Sequence, residues 1–167
     1  DWFTDADQLG TKSGLGQRNT PAVDRAIALA DAFGKRNGAG TFKQLERSKI
    51  AAGLIKRLNS PDSFDQGNTW LCGVATFVRV WAFDHPVEYV QLAIDLFEKG
   101  KGSLVGHNKY SGKTITPSDE LLKSPPAKLN NNTDFDHSDW IVLASIRETF
   151  NDVFNYSADE GVFRIKA

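Results

Sequence analysis

The chain has 167 residues, 40% of them apolar and 25% charged, enough for one domain with a proper core and too few to expect two. Twenty Lys+Arg against 21 Asp+Glu leave a formal charge of -1, so no basic field exists to collect nucleic acid or an anionic membrane surface. No apolar run approaches the ~18 to 20 residues that cross a bilayer, and one cysteine excludes both an internal disulfide framework and a multi-thiolate zinc site.

The amino end, "DWFTDADQLG", lacks the basic start and apolar core of a Sec-type signal, and a sequence that opens with Asp1 and contains no methionine reads as a processed or excised piece. Residues 1–19, polar and glycine-rich, read as a flexible lead-in to a single domain spanning 1–167; the spacing of a phosphate-binding loop is missing there. Thr20-Pro21 supplies an N-cap and a first-turn proline, and Val23, Ile27, Ala30 and Phe33 then recur on one helical face up to Gly34. A second helix is expected to open at Thr41, with Phe42, Leu45, Ile50, Leu54, Ile55 and Leu58 as its apolar positions, and to close at "NSPD".

"CGVATFVRVWAF", from Cys72 to Phe83, is almost continuously apolar, which predicts a helix buried on most sides. After Asp84 the chain restarts as "PVEYVQLAIDLFEKG", a helix stopped by Gly100. Residues 101–115 suit a loop or short edge hairpin, and Thr116-Pro117-Ser118-Asp119 suits an N-cap, a first-turn proline and an acidic capping-box residue before a short helix. Trp140, Ile141, Ala144, Ile146, Phe150, Val153 and Phe154 describe a further amphipathic helix capped by Asp136 or Ser138, and "GVFRIKA" is a strand pattern.

The chemistry concentrates in "DQGNTWLCGVATF". A cysteine that opens a helix meets unpaired N–H groups and the positive end of the dipole, which lower a thiol pKa from ~8.5 toward neutrality. A thiolate that attacks a carbonyl creates an oxyanion, and the N–H of Cys72 with the side-chain amide of Gln66, six positions earlier, supplies two donors for it. Against this stands the ordinary behaviour of a lone free cysteine, which packs as a small hydrophobe.

Gln66, five intervening residues and Cys72 at the start of a long apolar helix are similar to the oxyanion glutamine and nucleophile of papain-like cysteine proteases. The wider stretch "RLNSPDSFDQGNTWLCGVATFVRVWAFDHPVEYVQLAIDLFEKGKG" resembles more closely the papain-like effector and toxin domains that bacteria deliver through contact-dependent secretion systems. In those an Arg and a Pro precede the Gln, and "CG" starts the helix. The later "DHSDWIVLASIRE" also resembles a segment of that group, so the likeness covers residues 54–150. The chain departs from papain in having Gly73 and Val74 after the nucleophile and no second cysteine, so papain's disulfide context is not implied.

Thiolate chemistry also needs an imidazole as proton carrier and a group that orients it. His85 sits in the corner "DHPVE", separated from Cys72 by a helix of about a dozen residues, ~18 Å long. His107 sits in a glycine-flanked loop with no acidic neighbour in sequence. His137 follows the nucleophile in the expected chain order, among Asp134, Asp136 and Asp139, and is the internal candidate. In papain-like folds the histidine comes from a strand, whereas the residues after His137 read as a helix, so His137 also fits as a first-turn residue beside a capping Asp136 or Ser138, and a second possibility places the histidine-bearing strands beyond Ala167.

The expectation is therefore an α+β, helix-rich, papain-like domain, its nucleophile on the N-terminus of a buried central helix packed against a small antiparallel sheet near or beyond the C-terminus. The resemblance implies a cysteine hydrolase with Cys72, Gln66 and His137 as site residues, a protein or peptide substrate and no metal or organic cofactor. It also implies secretion by a specialised bacterial system, action in the target-cell cytoplasm, and either an immunity protein or a further segment as partner. A glutamine deamidase or transglutaminase uses the same thiol chemistry. A non-catalytic helical binding module with Cys72 in its core is the alternative of a different class.

Overall fold

The first helix, α1 (Thr20–Gly34), begins one residue earlier than its sequence pattern suggests, because Asn19 rather than Thr20 is the cap: Asn19 Oδ1 accepts the Ala22 N–H at 3.2 Å and Thr20 is already helical. The computed structural model describes residues 18–63, 72–106, 110–129 and 132–150; at 72, 73, 154–156 and 163–165 it describes the backbone alone.

The expected start of the second helix at Thr41 is corrected. Helix α2 runs over Arg47–Asn59, and residues 41–46 form turns in which Phe42 and Leu45 are nonetheless buried. Thr41 serves a different helix, α4 (Pro86–Lys99): its Oγ1 donates to Leu96 O at 2.8 Å and its N–H to Phe97 O at 2.7 Å, satisfying carbonyls at the end of α4. That helix stops at Gly100, whose φ of 70° is the left-handed conformation only glycine adopts cheaply. A short 3-10 turn (Pro61–Ser63) follows α2.

Helix α3 (Cys72–Asp84) opens where the sequence pattern places it, but it is not enclosed on most sides. From Val74 onward Ala75, Val78, Trp81 and Ala82 are buried, while Val74, Phe77, Arg79, Val80 and Phe83 are half-buried and Thr76 and Asp84 exposed. The almost continuous apolar run is thus an ordinary one-sided helix whose second face is partly covered by aromatic neighbours, Phe77 stacking on Trp81 and meeting Tyr110 edge-on.

Of the loop or short hairpin expected over 101–115, strands β1 (Gly102–Ser103) and β2 (Thr114–Ile115) form the hairpin, pairing Gly102 with Ile115. Helix α5 (Asp119–Lys123) is capped by Ser118, not Thr116: Ser118 Oγ accepts the Leu121 N–H and donates to Glu148. Helix α6 (His137–Phe150) is the central one, with every residue from His137 to Ile146 buried and α2, α3 and α4 packed around it. It ends at Phe150 rather than continuing through Phe154, which opens β3 (Phe154–Tyr156), antiparallel to β4 (Phe163–Ile165). The result is a helix-rich α+β arrangement, with two small antiparallel hairpins among the described residues.

Candidate functional site

Cys72 is the first residue of α3, as the sequence pattern requires of a thiol that profits from a helix N-terminus. Gln66 and His107 lie outside the described residues, and of Cys72 the backbone alone is described. The helices that carry Cys72 and His137 pack against each other. His85 stands at the opposite end of α3, at the N-cap position of α4, and makes no side-chain cap bond there.

His137 is the first residue of α6 and only 7% exposed. Its Nδ1 accepts the Glu46 backbone N–H at 3.1 Å. That bond fixes the neutral tautomer, with the proton on Nε2. Burial, then the positive charge of Lys49, holds the imidazole below its ordinary pKa, against the opposing pull of Glu46, Asp136 and Asp134.

The acidic residues around His137 do not orient its ring. Asp136 is the helix cap: Oδ1 accepts the Ser138 N–H at 2.8 Å, the Ser138 hydroxyl at 2.6 Å and the Asp139 N–H at 3.3 Å. Asp134 pairs with Lys128 at 2.5 Å. Asp139, fully buried, receives Arg57 of α2, whose Nε donates to Oδ1 at 2.9 Å and whose Nη2 bonds Oδ2. Arg57 Nη1 also donates to Ser63 Oγ at 3.3 Å, so one guanidinium joins α2, the 3-10 turn and α6. Burial alone would lower the Arg57 pKa; the Asp139 hydrogen bonds and charge outweigh it and leave it raised.

This ion pair is what the sequence pattern alone leaves unnoticed. Its trace is visible in hindsight, because Arg57 falls on the stripe of Ile50, Leu54 and Leu58 that faces the core, and a charge on such a stripe demands a buried partner. Gly53 lies on the same stripe. A Cβ there would stand 2.3 Å from Ser138 Oγ and 2.6 Å from Asp136 Oδ1, so the bare backbone is what lets α2 approach the cap of α6.

Between these two elements opens a cleft of about 350 Å³, bounded by one face of α2 from Lys49 to Lys56 and by the segment from Asp134 to His137. Among the described residues no group of His, Cys, Asp and Glu is arranged to hold a metal ion, and no helix is long and apolar enough to cross a membrane. No protein-family model matches the chain, and neither a curated protein nor a solved structure matches it.

Proposed function

We propose that the chain is a papain-like cysteine hydrolase domain of a secreted bacterial effector, acting through a thiol acyl-enzyme. The observation that carries this reading is the position of Cys72 at the first residue of α3, where the N–H groups of the first turn have no intrahelical partner and the dipole favours an anion. The thiolate attacks the carbonyl carbon of a peptide or glutamine side-chain amide, and the oxyanion is held by the Cys72 N–H and the Gln66 amide. A histidine protonates the departing amine, and water then releases the carboxylate. Resolution of the same acyl-enzyme after loss of ammonia makes a glutamine deamidase, and resolution by an amine a transglutaminase. His137 enters this scheme only through Nε2, since Nδ1 already accepts a backbone N–H.

That commitment of Nδ1 favours a second reading, a helical binding module without thiol chemistry. The two are separated by comparing two reagents on the single cysteine. p-Nitrophenyl acetate acylates through a tetrahedral oxyanion, whereas iodoacetamide alkylates without one. Gln66→Ala is expected to slow acylation of Cys72 by about ten- to a thousandfold while leaving alkylation unchanged. Equal acylation in wild type and Gln66→Ala removes the oxyanion role, and no acylation of the wild type leaves the binding module.

A further inference from the structure

Asparagine followed by glycine occurs once in the sequence, at Asn37-Gly38, just past the end of α1. Both residues are exposed. Gly38 sits at φ 108°, a conformation that glycine adopts without strain, and nothing lies within 4 Å of the place a Cβ would take on it. Its carbonyl accepts Arg47 Nη2 at 3.2 Å, and Arg47 in turn pairs with Glu98 and lies over the rings of Phe33 and Phe97. The turn is pinned by that carbonyl, while among the described residues nothing bonds the Gly38 N–H or the Asn37 side-chain amide.

Two other asparagines show what protection looks like. Asn19 Oδ1 accepts the Ala22 N–H at 3.2 Å, and the next backbone N–H, that of Thr20, donates to Arg18 O at 3.0 Å. After Asn59 the Ser60 N–H donates to Lys56 O at 2.9 Å and closes the last turn of α2. A backbone nitrogen engaged in this way neither loses its proton readily nor turns toward the side chain before it unless the segment first opens.

We propose that Asn37 is a self-modification site, converted in the folded chain to an aspartyl or isoaspartyl residue through a succinimide. The Gly38 nitrogen gives its proton to solvent base and attacks Asn37 Cγ; the N–Cγ bond forms, the Cγ–Nδ2 bond breaks, and Nδ2 leaves as ammonia with a proton from water. Water then opens the ring at either carbonyl, so one amide and one water become one carboxylic acid and one ammonia, and nothing is oxidised or reduced. Opening at the Asn37 backbone carbonyl routes the main chain through Cβ and Cγ and lengthens it by one carbon. That change falls in the strap between α1 and Thr41, whose N–H and hydroxyl satisfy the last carbonyls of α4. The new carboxylate stands next in sequence to Arg36, which with Arg47 shares the Glu98 carboxylate, so positive charge is in excess in that trio.

The test is mass spectrometry of tryptic peptides after the full chain has stood in mildly alkaline buffer, native or unfolded in guanidinium chloride. Cleavage after Arg36 and Lys43 gives "NGAGTFK", which has one asparagine and no glutamine, so replacement of NH2 by OH in it reports Asn37 alone. Asn37 is expected to convert in the native chain within about threefold of its rate in the unfolded one, whereas folding is expected to slow Asn59 at least about tenfold. Two product peptides of equal mass that separate by chromatography are the expected mark of the ring, because direct hydrolysis gives aspartate alone. Asn37→Gln, whose longer side chain closes the ring poorly, is expected to stay unchanged over the same time. Cys72→Ala is expected to convert at the wild-type rate, because the thiol takes no part. Slowing of Asn37 by more than about threefold on folding, an Asn59 that folding leaves unprotected, a single aspartyl product, or loss of conversion in Cys72→Ala would overturn the proposal.

Discussion

The start of α6 and the start of α3 meet the same physical problem with different first-turn residues. Both are N-termini with unpaired N–H groups. At α6 the chain fills two of them itself, because Asp136 Oδ1 accepts the Ser138 and Asp139 N–H groups. At α3 no acidic residue occupies the first turn, and the first residue is the thiol. A helix end closed by its own carboxylate is built for stability, and one opened on a cysteine is where a developing negative charge can be received.

The first way to break the comparison is to remove the closure of α6. Arg57→Ala removes the guanidinium from the buried Asp139 carboxylate and is expected to cost about 3–5 kcal/mol, whereas replacing both partners by apolar residues of similar volume is expected to restore most of the loss. The midpoint of urea unfolding measures both, and a small effect of Arg57→Ala would mean that the pair carries no structural weight. Next in size is Gly53→Ala. Alanine gains up to about 1 kcal/mol in helix propensity, but its methyl group collides with Ser138 Oγ and the capping carboxylate, so a net loss of about 1–3 kcal/mol is expected in the same assay. A stabilised variant would show that α2 and the cap have room to move apart at no cost.

The smallest effect belongs to the α3 side. Arg79 on that helix pairs with Asp62 of the 3-10 turn, but Asp62 is 64% exposed and solvent screens the pair. Arg79→Ala is expected to change stability by no more than about 1 kcal/mol. A loss comparable with that of Arg57→Ala would erase the contrast between the buried ion pair on α6 and the exposed one on α3.

The parts of this contrast legible in the sequence are those governed by local rules. Helices α1, α3, α4 and α6 follow from apolar periodicity, and Gly100 and Asp136 terminate or cap where their chemistry directs. Sequence and structure part where tertiary contacts redirect a local signal. Thr41 looks like a helix opener and instead serves the carbonyls of α4, Thr116 yields its capping role to Ser118, and α6 stops at Phe150 although Phe154 continues its period. The largest difference concerns which helix is central. "CGVATFVRVWAF" has the greater apolar density, yet "HSDWIVLASI" is the one enclosed on all sides. Its polar residues tolerate burial through partners such as Arg57 and Asp136, and pairing across 82 residues, as between Arg57 and Asp139, leaves no mark in a local window. Cys72 at a helix start is legible, since it depends on local structure alone.

The central claim is that the α3 end receives negative charge on sulfur. Its most direct test is the rate of iodoacetamide labelling of the native chain, whose single cysteine makes the readout unambiguous, followed across pH. Labelling that persists well below pH 7 and disappears in Cys72→Ala is the predicted result. Labelling that rises only near the ordinary thiol value of ~8.5, or only after denaturation, would contradict it.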